Sequence, residues 1–349
     1  MSFRLGFPGS RSIRESSCAG LLAAALLASG GCGSSSGGAG ATSGDGGGGG
    51  SGGSCGTRSG MRGKTTRSVT VSGVSRTYIV YLPQSASATS KLPFVYVFHG
   101  ATMNASEMYD STDYAAIADS DGVAVAFLDG QGGAGVSGTG APNPWNVSDN
   151  GAAVCGLGSF VNNTMASVDF AFMDAVRADV EKDQCVDSDH VFATGFSMGG
   201  YFSHHIACDR TDIRAVAPHS GGTLASLSSC KTGHVPIIIF HGTADTLIAP
   251  GCDDPNSAAQ SGFPPSATLW AQKNGCGTTY QTVPETGTGG NGQCYVYDGC
   301  PADGQVELCT FTGMGHCYAS GGQGSGNYAC PTYPSATKLQ WAFFKKYAW

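Results

Sequence analysis

Ser197, Asp245 and His316 are the residues whose types and order could together do chemistry. A serine hydroxyl is a weak nucleophile until a base takes its proton and a carboxylate orients that base. Ser197 sits in Gly195-Phe196-Ser197-Met198-Gly199. An apolar, strand-like run ends at Gly195, and a helix-compatible run, Met198 to Cys208, follows. Gly-x-Ser-x-Gly between strand and helix makes a turn sharp enough to expose the hydroxyl. It also aims the first helical amides at the same spot. The pattern alone says little, because it also occurs at Gly33–Gly37, Gly49–Gly53 and Gly52–Gly56, inside a Gly/Ser tract. Only the match at Ser197 has a strand before it and a helix after it.

On such an elbow the partners follow in the order acid, then histidine. Of eight histidines, His316 alone lies after every plausible acid. It stands in a Gly-rich loop, Gly313-Met314-Gly315-His316-Cys317. Asp245 is the acid of choice, on a turn after the apolar run Val235–Phe240, with Asp253 and Asp254 as competitors deeper in a loop. A developing oxyanion needs two N–H donors. Met198 supplies one, and Ala101, in the turn His99-Gly100-Ala101-Thr102, supplies the other, with Thr102 as its alternate. His99, Thr102, Trp145 and Tyr201 are candidate substrate-binding residues, although His99 and His241 equally suit a supporting place. His204 and His205 lie on the helix leaving the elbow and point away from the hydroxyl.

The elements that must position these groups alternate. Arg67–Val71 and Arg76–Leu82 read as a hairpin around Ser72-Gly73. Phe94–Phe98, Val123–Leu128, the run into Ser197, Ala215–Ala217 and Val235–Phe240 read as buried strands. Glu107–Asp119, Val168–Asp183, Met198–Cys208, Leu269–Lys273 and Ala336–Lys346 read as helices. A Cys-rich stretch, Cys276–Cys309, leads into a strand around Glu307–Thr312. This predicts an α/β fold with a mostly parallel central sheet and helices on both faces. Active groups gather at the carboxyl ends of such strands, where His99, Ser197 and Asp245 all fall.

The 349 residues carry a formal charge of −7 with 12% charged residues and no basic cluster, which argues against a nucleic-acid partner. Arg4, Arg11 and Arg14 precede the ten-residue apolar run Ala19–Ala28, too short for a permanent span and suited to an export signal over residues 1–31. Ser29-Gly30-Gly31-Cys32 resembles a lipoprotein cleavage site, with Cys32 as the lipid anchor and Ser29 where leucine is usual. Residues 32–61 read as a Gly/Ser-rich flexible linker, and 62–349 as the folded domain. Twelve of the fourteen cysteines lie from Cys55 to Cys330, an even number that fits disulfides in an oxidising compartment. No Cys-x-x-Cys pair and no nucleotide motif is present, so neither metal nor cofactor is expected.

The motifs Phe98-His99-Gly100, Gly195-Phe196-Ser197-Met198-Gly199-Gly200, His241-Gly242-Thr243-Ala244-Asp245 and Gly315-His316-Cys317 resemble those of feruloyl esterases. They resemble equally the related polyhydroxybutyrate depolymerases. Cys185-Val186-Asp187, Ala207-Cys208, Asn274-Gly275-Cys276 and Tyr297-Asp298-Gly299-Cys300 extend the likeness over roughly Val69 to Trp349. The resemblance implies a disulfide-rich α/β-hydrolase fold and an extracellular serine carboxylesterase with Ser197, Asp245 and His316 as its triad. Tannases and one feruloyl esterase group bond a cysteine directly before the serine to one directly after the histidine. Here Phe196 takes the first place, so Cys317 needs another partner, with Cys309 and Cys155 as candidates.

The expected substrate is a feruloyl-type ester of plant cell-wall xylan. A polyhydroxyalkanoate and an acetylated xylan are the alternatives, since one mechanism serves all three. A catalytically inactive polymer-binding lipoprotein is the reading from another class, and the complete triad argues against it. The expected protein is a monomer at the cell envelope or outside the cell, with membrane attachment only through Cys32.

Overall fold

The computed structural model describes residues 61–87, 89–131, 145–147, 155–156, 167–223, 226–259, 262–284 and 291–347. The segment expected to be an export signal, Cys32, most of the expected linker and most of residues 130–158 lie outside the described residues.

The chain opens with β1 (Gly63–Val71) and β2 (Val74–Leu82), antiparallel and in register from Gly63↔Leu82 to Val71↔Val74. Ser72 and Gly73 join them, both left-handed at φ 50° and 81°, as a two-residue hairpin turn requires. Then come β3 (Leu92–Phe98), α1 (Ala105–Ser111), α2 (Tyr114–Asp121), β4 (Ala124–Leu128), α3 (Ser167–Val180) and β5 (Val186–Phe196). α4 (Met198–Asp209), β6 (Ala215–His219), β7 (Ile237–Gly242) and α5 (Ser266–Lys273) follow. The last elements are β8 (Tyr280–Pro284), β9 (Gly292–Tyr297), β10 (Val306–Phe311), β11 (Tyr318–Ala319), β12 (Ala329–Cys330) and α6 (Ala336–Lys345).

Ten strands form one sheet in the order β1-β2-β4-β3-β5-β6-β7-β10-β9-β8, and β11 and β12 form a separate small ladder. The central run from β4 to β10 is parallel. β3 and β4 are buried at every residue and apolar on both faces because both faces are covered. Phe94, Tyr96 and Phe98 of β3 pack with Phe172 of α3, Phe202 of α4 and Trp270 of α5. Val95 and Val97 of the same strand point the other way, toward Met108 of α1, Ile117 of α2 and Phe344 of α6. The period of two thus builds two cores from one strand.

Two expectations need correction. The single helix Glu107–Asp119 is two helices. Asn104 caps α1 through a reciprocal bond with Glu107, and Thr112 ends it in extended geometry. Buried Asp113 then accepts from the Ser335 hydroxyl at the start of α6, at 3.0 Å. This tertiary bond wins over helical continuity. The Cys-rich stretch also contains β8 and β9, which extend the sheet antiparallel beyond β10.

Five disulfides are present among the described residues: Cys155–Cys252, Cys208–Cys230, Cys276–Cys300, Cys294–Cys309 and Cys317–Cys330. Cys317 therefore pairs with neither Cys309 nor Cys155. The β11–β12 ladder brings Cys330 alongside the histidine loop instead.

Candidate active site

β5 delivers Ser197 at the carboxyl edge of the sheet with φ 54° and ψ −117°, a strained conformation for a residue with a side chain. The flanking glycines make the turn feasible. A Cβ on Gly199 would lie 2.2 Å from the Phe98 carbonyl oxygen, and one on Gly195 would lie 2.3 Å from that of Gly199. The elbow can pack against the end of β3 only without those side chains. The Ser197 N–H donates to the His219 carbonyl at 2.8 Å, which ties the turn to β6.

His316 bridges the other two groups. Its Nδ1 is 2.7 Å from Asp245 Oδ2, and its Nε2 is 2.9 Å from Ser197 Oγ. Asp245 can only accept, so Nδ1 carries the hydrogen and Nε2 is free to accept the serine proton. The other oxygen of Asp245 accepts the N–H groups of Leu247 and Ile248, each at 2.9 Å. Burial favours the neutral acid, but hydrogen bonds from His241, His316 and Ile248 outweigh it. They hold the Asp245 carboxyl well below the usual carboxylate range.

The loops that carry acid and base are laced together. The Ala244 N–H donates to the Met314 carbonyl at 2.9 Å, and the Gly313 N–H donates to the Thr243 hydroxyl at 2.9 Å. The Cys317–Cys330 bond fixes the far side of the histidine loop. The Phe196 ring lies 5.0 Å from the imidazole of His316, in the place where tannases carry a cysteine.

Met198 begins α4, so its N–H has no acceptor within the helix. The loop after β3 lies directly against the nucleophile, since a Cβ on Gly100 would come within 3.2 Å of the Ser197 Cβ. Ala101 follows Gly100 in this loop. Thr102 is exposed, left-handed at φ 61°, and its hydroxyl lies 2.9 Å from that of Tyr328.

Three expected substrate contacts belong to the core instead. His99 is fully buried; its Nδ1 donates to the Gly100 carbonyl at 2.8 Å, and its Nε2 accepts from the Gly130 N–H at 2.9 Å. Burial lowers its pKa to about 4, so it is neutral. Trp145 is also fully buried and donates to the His99 carbonyl at 2.7 Å. Tyr201 is buried and donates to the Cys155 carbonyl. Each satisfies a backbone group beneath the site, and none presents a surface to substrate. Of the four, Thr102 alone is exposed. The half-buried Tyr328, which sequence reasoning missed, joins it at the rim. No group of side chains suited to hold a metal ion occurs among the described residues.

A serine, histidine and aspartate in hydrogen-bonded series at the carboxyl edge of a doubly covered, mostly parallel sheet define the α/β-hydrolase arrangement. The dienelactone hydrolase family profile matches residues 143–256, a span that includes Ser197 and Asp245. The chain is 29% identical over 263 residues to feruloyl esterase B of Piromyces equi, covering 71% of this chain and 44% of that one. It is 36% identical over 177 residues to feruloyl esterase C of Emericella nidulans, covering 50% and 57%. Feruloyl esterase D of Neurospora crassa is 26% identical over 298 residues, covering 84% and 89%. The chain thus spans about half the length of several curated relatives that it matches. In structure it is similar to an acetyl xylan esterase from Aspergillus awamori, with a TM-score of 0.55 at 16% identity over 81% of this chain and 99% of that one, a likeness of fold. The fold is that of an α/β-hydrolase, and in sequence the chain is similar to feruloyl esterases.

Proposed function

We propose that this protein is an extracellular serine carboxylesterase that cleaves feruloyl-type esters of plant cell-wall polysaccharide. The observation that carries the chemistry is the placement of His316 within hydrogen-bond reach of both Ser197 Oγ and Asp245 Oδ2, at 2.9 and 2.7 Å. As Ser197 Oγ attacks the ester carbon, its proton passes to His316 Nε2. The carbonyl oxygen becomes an oxyanion, met by the N–H groups of Met198 and Ala101. Collapse expels the sugar alkoxide, which takes the proton back from His316, and leaves the acyl group on Ser197. Water, deprotonated by His316, then attacks the acyl carbon, and the acid leaves as Ser197 Oγ takes that proton back from His316. Asp245 stays ionised throughout and stabilises the imidazolium.

The substrate class is supported by the run of feruloyl esterases among the relatives. It is tested with methyl ferulate, acetylated xylan and a polyhydroxybutyrate suspension assayed side by side. Methyl ferulate should be cleaved with the highest kcat/KM. Release of hydroxybutyrate alone would refute the feruloyl reading and leave the triad standing.

The disulfides suit an oxidising compartment and support export. Anchoring through Cys32 rests on the sequence pattern around it. Cells given labelled palmitate should incorporate it into the wild-type protein and not into Cys32→Ser. An unlabelled wild type would exclude the anchor.

A further inference from the structure

Behind Asp245 lies a second charged pair that the reaction above does not use. His241, the penultimate residue of β7, is fully buried. Its Nδ1 is 2.6 Å from Asp253 Oδ2, and its Nε2 is 3.0 Å from the Ile248 carbonyl and 3.4 Å from Asp245 Oδ2. Both nitrogens face only oxygen acceptors, and each can satisfy them only by donating. That requires the imidazolium. Asp253 is itself fully buried and takes a second bond, from the Ser266 hydroxyl.

Apart from Asp245, three further ionisable groups face the pair, and each is neutral. His219, on the neighbouring β6, is pushed down by burial and by the charge of His241. His204, on α4, lies 4.0 Å from Asp253 and accepts from the Trp270 indole N–H at 2.9 Å; burial lowers it to about 4. Tyr201, also on α4, is held as the phenol by burial and by the charges of Asp253 and Asp245. The cation on His241 therefore faces two carboxylates. It leaves one net negative charge in the cluster, and the imidazolium that forms on His316 during reaction neutralises it.

We propose that His241, clamped by Asp253, is a positioning residue for the ester hydrolysis: as a permanent imidazolium it keeps Asp245 ionised and its Oδ2 turned toward His316. This rests on the reading of Ser197, Asp245 and His316 as the catalytic triad. Burial opposes charge on His241, yet its bonds to Asp245 and Asp253 and their negative charges outweigh this and raise its pKa to about 10. The cation thus persists wherever the enzyme would work.

In His241→Gln the cluster holds two uncompensated carboxylates, which favour the proton on His316. The acid limb of the kcat/KM profile should move up by roughly one pH unit, with kcat falling about tenfold through lost orientation. A role confined to packing would lower Tm and leave the limb in place, and an unmoved limb in a folded variant overturns the proposal. Should His241→Gln not fold, nitrogen-15 spectroscopy of the wild-type protein decides. Both ring nitrogens of His241 should remain protonated from about pH 5 to 8, across the range where an ordinary histidine loses its proton. One bare nitrogen at neutral pH overturns the proposal. Fluorophosphonate labelling of Ser197 separates the two levels: an unlabelled wild type would refute the triad reading, while the spectrum still reports the charge on His241.

Discussion

Replacing Ser197 with alanine lowers kcat by about five to six powers of ten for every ester the protein cleaves. The variant keeps the amides of Met198 and Ala101 and the His316–Asp245 bond of 2.7 Å, but has no oxygen to acylate. What remains is oxyanion stabilisation and substrate binding, which leave a residual rate well above that of water alone. Fluorophosphonate labelling should vanish with the activity. A second substitution separates chemistry from backbone. Alanine still carries a Cβ at φ 54°, so the strain of the elbow stays, whereas Ser197→Gly relieves it. The glycine variant should be as inactive as the alanine one and more stable than it by about 1 kcal/mol. Near-wild-type turnover by Ser197→Ala would remove Ser197 from the chemistry.

The core of this site is legible in the sequence because it obeys local rules. Close packing of a helix against a strand end imposes the glycines around Ser197, and the order of acid and histidine follows from how loops leave a parallel sheet. The strands β3 and β4 are apolar throughout, and β7 as far as Phe240, because both their faces are covered. What the sequence hides is set by long-range contact. Trp145 and Tyr201 look like an aromatic wall, yet their polar tips turn to the carbonyls of His99 and Cys155. No local pattern distinguishes an aromatic that lines a cleft from one that supports its floor.

Asp253 shows the same limit. As a sequence feature it competes with Asp245 for the role of acid. The chain folds back through a short turn at Pro250–Cys252, pinned by the Cys155–Cys252 disulfide, and delivers Asp253 to His241 instead. The strands β8 and β9 escape notice because their burial is patchy. Cys294–Cys309 and Cys276–Cys300 hold that edge where apolar periodicity is weak. The partner of Cys317 is hidden because β11 and β12 are two residues each, too short to leave a pattern.

Asp245→Asn should lower kcat by about three to four powers of ten, roughly a hundredfold less than loss of the nucleophile. The carboxylate has four acceptor duties. Oδ1 takes the Leu247 and Ile248 N–H groups at 2.9 Å each, while Oδ2 takes His316 Nδ1 at 2.7 Å and faces His241 Nε2 at 3.4 Å. An amide has one oxygen and one NH2, so one pair of donors must meet another donor. With its oxygen kept toward the two backbone N–H groups, the NH2 faces His316 and demands a bare Nδ1. The hydrogen then moves to Nε2, which donates to Ser197 instead of accepting from it, and the base is lost through the wrong tautomer. Stability should respond with a defined sign. The folded pKa of Asp245 lies below its unfolded value, so its ionised form stabilises the fold above the ordinary carboxylate range. That contribution fades as pH falls toward the folded value. The wild type should therefore exceed Asp245→Asn in Tm at neutral pH, and the gap should narrow on acidification. Kinetics on methyl ferulate and melting curves at matched pH check both parts. A loss of less than tenfold in a folded variant would remove Asp245 from the triad and return Asp253 or Asp254 to consideration.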